Sequence, residues 1–338
     1  MTVSPFAGVA TGVGSWPGTD VREAAASVVG ELPLLPHLAE LPKRGLGADM
    51  IGRAGALLVD IELDAATSGY RISTRPSRTG RLAADFLAED LDVLEEVWET
   101  AGLRGSGLLK VQVAGPFTIA AEIELGNGHR ALTDRGALRD IAASIAEGVA
   151  VHADEVARRL GADVLVQFDE PRLAEVLAGT VRDVTSLDSA RAVPAPDVVS
   201  ILDEAVARIG RPVAVHSCAR DVPFEVFGRS TLSAVSFDLS LLTPDRYDAV
   251  GEILQAGGTL VAGVVPTTEP ARVPTWREAV TPVVELIDRL GFERSVLRDQ
   301  ISVSPVCGLS GASLSWARTA LALVGDVQRA LGDDPDSL

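Results

Sequence analysis

The chain has 338 residues, of which 47% are hydrophobic and 23% charged, and its formal net charge at pH 7 is −17. Such a negative surface repels phosphate groups, so the composition argues against a nucleic acid or an anionic membrane as a partner. Residues 1–12 lack a basic segment ahead of an apolar core, and no uninterrupted apolar run reaches the length of about 18 residues that a membrane span needs. We therefore expect a cytoplasmic protein with enough apolar material for one large domain or two smaller ones.

Short apolar segments alternate with longer amphipathic ones along most of the chain. The apolar segments predict strands at 9–16, 55–63, 70–74, 108–114, 163–169, 211–220 (with its turn), 232–239, 259–265 and 301–306. The three- and four-residue spacing of apolar positions predicts helices at 20–32, 81–101, 136–160, 197–209, 243–255, 276–290 and 314–331. The strands at 55–63 and 70–74 are expected to pair as a hairpin over one end of the sheet.

Strand and helix alternate about eight times, an arrangement typical of parallel α/β proteins. Eight such units favour a closed (β/α)8 TIM barrel, and neither an internal repeat nor a low-complexity linker divides the chain. We expect a single domain over 1–332, followed by a frayed acidic tail at 333–338. Polar residues follow the carboxyl ends of several predicted strands, and in a barrel these ends meet at one mouth.

Two cysteines and a histidine stand at the ends of predicted strands. His216 and Cys218 are alternate residues of an extended segment, so their side chains point to the same side. The second cysteine, Cys307, ends the apolar run of another strand. An imidazole and two thiolates are three ligands of a tetrahedral zinc site with an open fourth position, for which Asp238 is the natural protein ligand. The structural alternatives are cysteines that only pack, and an aspartate that caps a helix or pairs with an arginine.

A zinc ion with one imidazole and two thiolate ligands has a definite chemistry. It has no redox role, but it can bind an external thiol and displace the thiol proton near neutral pH. The two thiolate ligands donate charge to the metal, so the bound sulfur stays nucleophilic. The ligand set therefore predicts alkyl transfer to sulfur.

Two further pairs of polar residues are candidates for the substrate site. Asp169 and Glu170 stand at the end of a predicted strand, where a carboxylate can bind a substrate ammonium or position a proton, so both are candidate catalytic residues. A salt bridge to an arginine is the structural alternative. Gly14 and Ser15 offer backbone N–H groups and a hydroxyl at a tight turn, which suits a substrate carboxylate.

Several short motifs occur in one order along the chain and cover most of it. They are Val-Gly-Ser-Trp-Pro at 13–17, Ala-Gly-Pro-Phe-Thr at 114–118, Gln-Phe-Asp-Glu-Pro at 167–171, His-Ser-Cys at 216–218 and Ser-Pro-Val-Cys-Gly-Leu at 304–309. In these motifs the chain resembles the C-terminal catalytic barrel of cobalamin-independent methionine synthase, within the superfamily that includes uroporphyrinogen decarboxylase. It is similar to the short, single-barrel members of that family.

The resemblance implies a zinc-dependent S-methyltransferase that transfers a methyl group to the thiol of homocysteine and forms methionine. It implies His216, Cys218 and Cys307 as zinc ligands, with Asp238 where the family usually has glutamate. The methyl donor would be a methyl-folate or, for a short member, a methyl-corrinoid or corrinoid protein. Neither a nucleic acid nor a membrane is implied as a partner.

The resemblance also assigns the substrate contacts. Ser15 would contact the carboxylate of homocysteine, and Asp169 its ammonium. Lys43 and Arg44 stand where the family has a second acid for this ammonium, so that acid is expected to be absent. This departure motivates one alternative, a zinc-dependent transferase with another thiol acceptor. A non-catalytic relative that binds zinc or a thiol is a second alternative.

Overall fold

The computed structural model describes residues 4–67, 69–183 and 189–338. Its strands are β1 (Glu62–Ala66), β2 (Gly69–Ser73), β3 (Leu108–Ala114), β4 (Ile123–Glu124), β5 (Asp163–Asp169), β6 (Val213–Ser217), β7 (Ala234–Asp238), β8 (Thr259–Val265) and β9 (Ile301–Pro305). Its α-helices are α1 (Val21–Glu31), α2 (Met50–Leu57), α3 (Arg78–Thr100), α4 (Pro116–Glu122), α5 (Arg135–Leu160), α6 (Leu173–Ala178), α7 (Ala195–Ile209), α8 (Phe224–Phe227), α9 (Tyr247–Gln255), α10 (Trp276–Leu290), α11 (Ser295–Asp299) and α12 (Leu314–Asp333). None of these helices combines the length and the apolar composition that crossing a membrane requires.

Six strands form one parallel sheet in the order β3-β5-β6-β7-β8-β9. A helix follows each of these strands, and the sheet is curled, as in TIM-barrel-like folds. The strands are covered on both faces; β5, for example, is buried at every position after its first. This burial explains their nearly continuous apolar sequences. The predicted strands at 108–114, 163–169 and 259–265 have the predicted bounds.

Two irregular segments, 8–16 and 36–40, lie beside the outer strands of this sheet. Single parallel bridges join the first segment to β9, the second to β3, and the two segments to each other. The sequence predicted a regular strand at 9–16 and eight strand–helix units, whereas the described residues contain six regular strands in this sheet. Glycine contributes to this irregularity, since it weakens regular strand structure. Gly12 lies so close to His37 that a Cβ on it would be 2.2 Å from Cε1 of the imidazole, and this close approach excludes other residues.

A small second sheet consists of the β1–β2 hairpin, extended by β4. The predicted hairpin is confirmed, but its first strand lies at 62–66 and not at 55–63. Residues 50–57 are helical instead. Asp49 precedes this helix and accepts hydrogen bonds from two N–H groups of the first turn, and the capped helix extends over residues 55–57, the start of the predicted strand.

The two faces of the parallel sheet have different surroundings. On the outer face, alternate apolar side chains pack against the helices in the main core. On the inner face, a separate apolar cluster fills one end, and its members are Phe6, Val9, Leu35, Leu165, Ala214, Ala234 and Val261. Further along the strands, the inner face carries buried polar residues, namely Lys110, Gln112, Gln167, Asp169, His216 and Ser236. The fold thus places a buried polar site above an apolar floor, at the carboxyl ends of the strands.

The last residues of the chain are packed against the fold. Helix α12 continues to Asp333, and Pro335 is buried. The guanidinium of Arg294 donates a 2.7 Å hydrogen bond to the carbonyl of Leu338. Residues 333–338, which are expected to be frayed, thus make one specific contact with the fold, and their fraying stays a prediction.

Candidate active site

His216, Cys218 and Cys307 meet at the carboxyl ends of β6 and β9. One ligand atom from each side chain lies within 4.8 Å of the other two. The two sulfur atoms are 2.6 Å apart, and both cysteines are free. The structure therefore brings together the three residues that the sequence predicted as metal ligands.

The imidazole of His216 is buried and hydrogen-bonded on one side only. Its Nδ1 lies 2.9 Å from the hydroxyl of Ser236 on β7, whereas its Nε2 has no hydrogen-bond partner. A buried polar atom without a partner costs about 1–3 kcal/mol unless a ligand binds it. Histidines that bind metals are oriented in this way, by a hydrogen bond at the other ring nitrogen. The donor set of one imidazole and two thiols fits zinc.

The contact between the two thiols shifts their pKa values in opposite directions. The hydrogen bond from Cys307 lowers the pKa of Cys218. The same hydrogen bond, together with burial, raises the pKa of Cys307. Cys218 is thus the thiol that ionises first, and a metal-binding thiol must be ionised.

Asp238 ends β7 near this group, but its side chain is engaged elsewhere. Its Oδ1 accepts hydrogen bonds from the backbone N–H of Ser240 at 2.9 Å and from the Ser240 hydroxyl at 2.7 Å. The carboxylate thereby caps the short 3-10 turn at 239–241. This cap is the structural alternative recognised in the sequence, and a role for Asp238 as fourth ligand stays a prediction.

Glu170 is fully buried and anchors α4. Its carboxylate accepts hydrogen bonds from the N–H groups of Phe117 at 2.9 Å and Thr118 at 2.8 Å, and from the Thr118 hydroxyl at 2.7 Å. Burial raises the pKa of Glu170 to about 7, against the effect of these hydrogen bonds. Because both carboxylate oxygens are occupied at the helix N-terminus, the geometry favours an anchoring role for Glu170 over the catalytic role predicted from the sequence.

Asp169 is the carboxylate on the inner face of the sheet. It is 5% exposed, it pairs in register with His216, and its Oδ1 accepts a 2.7 Å hydrogen bond from Nε2 of Gln167. Burial raises its pKa, and the electrostatic influence of His216 and Lys110 opposes this shift. A substrate ammonium would also lower the pKa of Asp169, so the predicted contact with this ammonium suits the surroundings of the carboxylate.

Glu40, which the sequence analysis missed, is a second buried acid near Asp169. Its backbone pairs with the turn 14–16: its N–H donates to the first carbonyl of the turn at 3.1 Å, and its carbonyl accepts from the last N–H at 2.8 Å. Burial raises the pKa of Glu40 to about 7; the charge of Arg53 opposes this shift, and that of Asp169 adds to it. Glu40 lies 3.6 Å from Nε of the buried Arg53 and is a candidate for the second acid that was expected to be absent.

The sequence contains one signal for this acid. Glu40 is the one acidic residue of a largely apolar and proline-rich stretch, 32–42, where a buried charge needs a partner or a function.

Ser15 connects the predicted substrate turn to the metal cluster. Its carbonyl accepts a 2.9 Å hydrogen bond from the N–H of Leu309. A Cβ on Gly308 would lie 2.1 Å from the Ser15 hydroxyl oxygen, so Ser15 packs against the backbone that directly follows Cys307. The turn therefore lies between the metal cluster on one side and Glu40 on the other.

Comparisons with known proteins concern the family and the fold of the chain. The family model described as "Cobalamin-independent synthase, Catalytic domain" matches residues 8–330. A search of curated proteins found no match. Among solved structures, a B12-independent methionine synthase from Shewanella sp. W3-18-1, in complex with selenomethionine, is 12% identical with a TM-score of 0.59 and covers 100% of both chains. A putative vitamin-B12 independent methionine synthase from Listeria monocytogenes is 14% identical with a TM-score of 0.59, over 98% of this chain and 99% of that chain.

At such low identity, the structural matches show a shared fold and no more. The family match extends over nearly the whole chain, and it confirms the resemblance that the short motifs indicated. The chain therefore belongs to the family of cobalamin-independent synthase catalytic domains, enzymes whose activity is methyl transfer of the methionine synthase kind.

Proposed function

We propose that this protein is a zinc-dependent S-methyltransferase that forms methionine from homocysteine and a methyl-folate. The observation that supports this most strongly is the cluster of His216, Cys218 and Cys307, in which Nε2 of His216 is buried without a partner. One imidazole and two thiolates leave a position for a substrate sulfur. Family membership supports methyl transfer as the class of reaction.

The metal would be held by His216, Cys218 and Cys307, with Asp238 as the candidate fourth ligand. When bound, zinc supplies a Lewis acid that lowers the pKa of an added thiol, so that the thiol reacts as a thiolate near neutral pH. The chain itself contributes orientation. Ser236 fixes the ring of His216, and the ends of two strands of one rigid sheet determine the positions of the thiols.

Homocysteine is the proposed acceptor because the site has complementary groups for both ends of an amino acid. Gly14 and Ser15 offer donors for the carboxylate. Asp169 and Glu40 are two buried acids whose pKa values are raised by burial, and the ammonium of an amino acid would compensate their negative charge. The alternative of another acceptor thiol was motivated by the missing second acid, and a contact of Glu40 with the ammonium would remove that motive.

A methyl-folate is the proposed donor. Both related solved structures are described as B12-independent methionine synthases, which favours a folate over a methyl-corrinoid and does not support a corrinoid protein as partner. We also place the protein in the cytoplasm, because two free thiols persist in a reducing compartment.

The complete (β/α)8 barrel is likewise an inference. Three isolated bridges support it: Ala10 with Val303, His37 with Lys110, and Ser15 with Glu40. These bridges run from β9 through both irregular segments to β3, the opposite edge of the six-stranded sheet. The two segments would therefore occupy the places of the remaining two strands.

Metal analysis and turnover test the proposed function. Purified protein should contain about one zinc per chain, and Cys218→Ser, Cys307→Ser and His216→Asn should lose both zinc and methyl transfer to homocysteine. His129→Asn is the matched control for His216→Asn, since His129 is half exposed and lies outside the metal cluster. Wild-type protein without zinc, or cysteine variants with full activity, would exclude the mechanism. Zinc and homocysteine binding without turnover would instead indicate a non-catalytic relative.

A further inference from the structure

Lys110 is one of two lysines in the chain, and it is completely buried. It lies on β3, where its Nζ donates hydrogen bonds to the carbonyl of Val13 at 2.9 Å and to Oε1 of Gln167 at 2.5 Å. Burying an ammonium costs several kcal/mol, and here its direct partners are a carbonyl and an amide rather than carboxylates. Such a position calls for a specific reason.

The hydrogen bonds of Gln167 indicate what Lys110 does. Because an ammonium can only donate, Gln167 must present its oxygen to Lys110, and this turns its amide nitrogen in the other direction. That nitrogen donates to Oδ1 of Asp169 at 2.7 Å and to the carbonyl of Val13 at 2.9 Å. The carboxylate of Asp169 and the carbonyl of Val13 also favour this orientation, because both are acceptors, and Lys110 reinforces it from the side of the amide oxygen.

We propose that Lys110 is a positioning residue for the amino-acid acceptor: by fixing the amide of Gln167, it keeps an N–H donor on Oδ1 of Asp169 and leaves the second oxygen for the substrate ammonium. This inference rests on the proposed function, because it requires an acceptor that carries an ammonium group. Lys110 does not touch the substrate, since its side chain is 0% exposed.

The charges around Lys110 agree with this role. Burial lowers the pKa of Lys110 to about 7, and the negative charges of Asp169 and Glu40 oppose the shift. The two acids therefore help to keep the lysine protonated. Only the protonated form is restricted to donating, so the acids also maintain the orientation of the amide of Gln167.

Binding of two thiols to the zinc-loaded, full-length protein tests the proposal. Homocysteine and 4-mercaptobutanoate share the thiol and the carboxylate, and only homocysteine has the ammonium. We expect Lys110→Met to weaken homocysteine binding about tenfold or more, and to change 4-mercaptobutanoate binding by less than about threefold, as measured by titration calorimetry. Lys43→Met, at the exposed second lysine, is the matched control.

Gln167→Leu tests whether Lys110 acts through the amide. This variant should show the same selective loss, and the double variant should bind homocysteine no more weakly than Gln167→Leu alone, because the two residues act in series. Additive losses of homocysteine affinity would contradict an action of Lys110 through the amide of Gln167. If Lys110→Met does not fold, Gln167→Leu decides the same question, because it replaces one uncharged side chain by another. Unchanged selectivity between the two thiols in Gln167→Leu would overturn the inference.

The outcomes separate this inference from the proposed function. Wild-type protein that prefers homocysteine, combined with equal losses for both thiols in Lys110→Met or with no loss, would overturn the role of Lys110 and leave the proposed acceptor intact. Wild-type protein that binds both thiols equally would overturn the amino-acid acceptor, and the role of Lys110 with it.

Discussion

The hydroxyl of Ser236 lies 2.9 Å from Nδ1 of His216 and leaves Nε2 of the same ring buried without a partner. The two residues are register partners on neighbouring strands, β7 and β6. The sheet itself therefore orients the free nitrogen. A metal site supported in this way is preorganised, because its orienting hydrogen bond comes from a strand and not from a loop.

Replacing the orienting hydroxyl should weaken metal binding. In Ser236→Ala we expect zinc affinity to fall about ten- to hundredfold, because the ring of His216 loses the hydrogen bond that fixes its rotation and tautomer. Competition with a chromogenic chelator measures this affinity. Ser200→Ala, on the exposed face of α7, is the control. An unchanged affinity would mean that packing alone orients the ring.

The buried acid Glu40 should affect the pH dependence of stability. Burial raises its pKa from 4.5 to about 7, so between these values the folded protein binds more protons than the unfolded chain. The contribution of this group to the free energy of unfolding therefore decreases as the pH rises through this range and is constant above it. Glu40→Gln does not titrate there, so it should gain stability relative to wild type over the same range, by up to about 3 kcal/mol.

Urea unfolding of both proteins at several pH values from about 5 to about 8 measures this difference. Glu252→Gln, at an exposed position of α9, is the control and should show a difference that is independent of pH. A similarly flat difference for Glu40→Gln would contradict the raised pKa.

The contact between Gly308 and Ser15 should be sensitive to added volume. In Gly308→Ala the new methyl group would lie 2.1 Å from the Ser15 hydroxyl oxygen, so the turn must move. Overpacking of this kind costs about 1–3 kcal/mol. We expect a lower midpoint of thermal unfolding and weaker homocysteine binding. Gly311→Ala is the matched control, because a Cβ there meets nothing within 4 Å; equal homocysteine affinity in the two variants would mean that Ser15 does not contribute to binding.

The metal-binding residues could be recognised in the sequence because the rules that reveal them are local. An extended segment places His216 and Cys218 on one side, and the carboxyl ends of parallel strands lie at one edge of a sheet, where Cys307 is also found. The later strands were equally clear, since strands covered on both faces are apolar throughout.

Local rules failed where single contacts replace regular hydrogen bonding. The segment 8–16 has an apolar pattern, but glycines and a close contact with His37 reduce its pairing to isolated bridges. At 55–57 the helix that begins after the N-cap Asp49 replaces the start of the predicted strand.

The sequence alone established the parallel α/β class, the candidate metal ligands and the resemblance to the family. Tertiary structure decided that Glu40 stands near Asp169, that Glu170 caps α4, and that Lys110 donates a hydrogen bond to the amide oxygen of Gln167. These contacts join residues far apart in the chain, and each depends on strand register and on which buried polar groups satisfy one another. A one-dimensional pattern records that a residue is polar or apolar, but hydrogen-bond partners exist only once the strands are side by side.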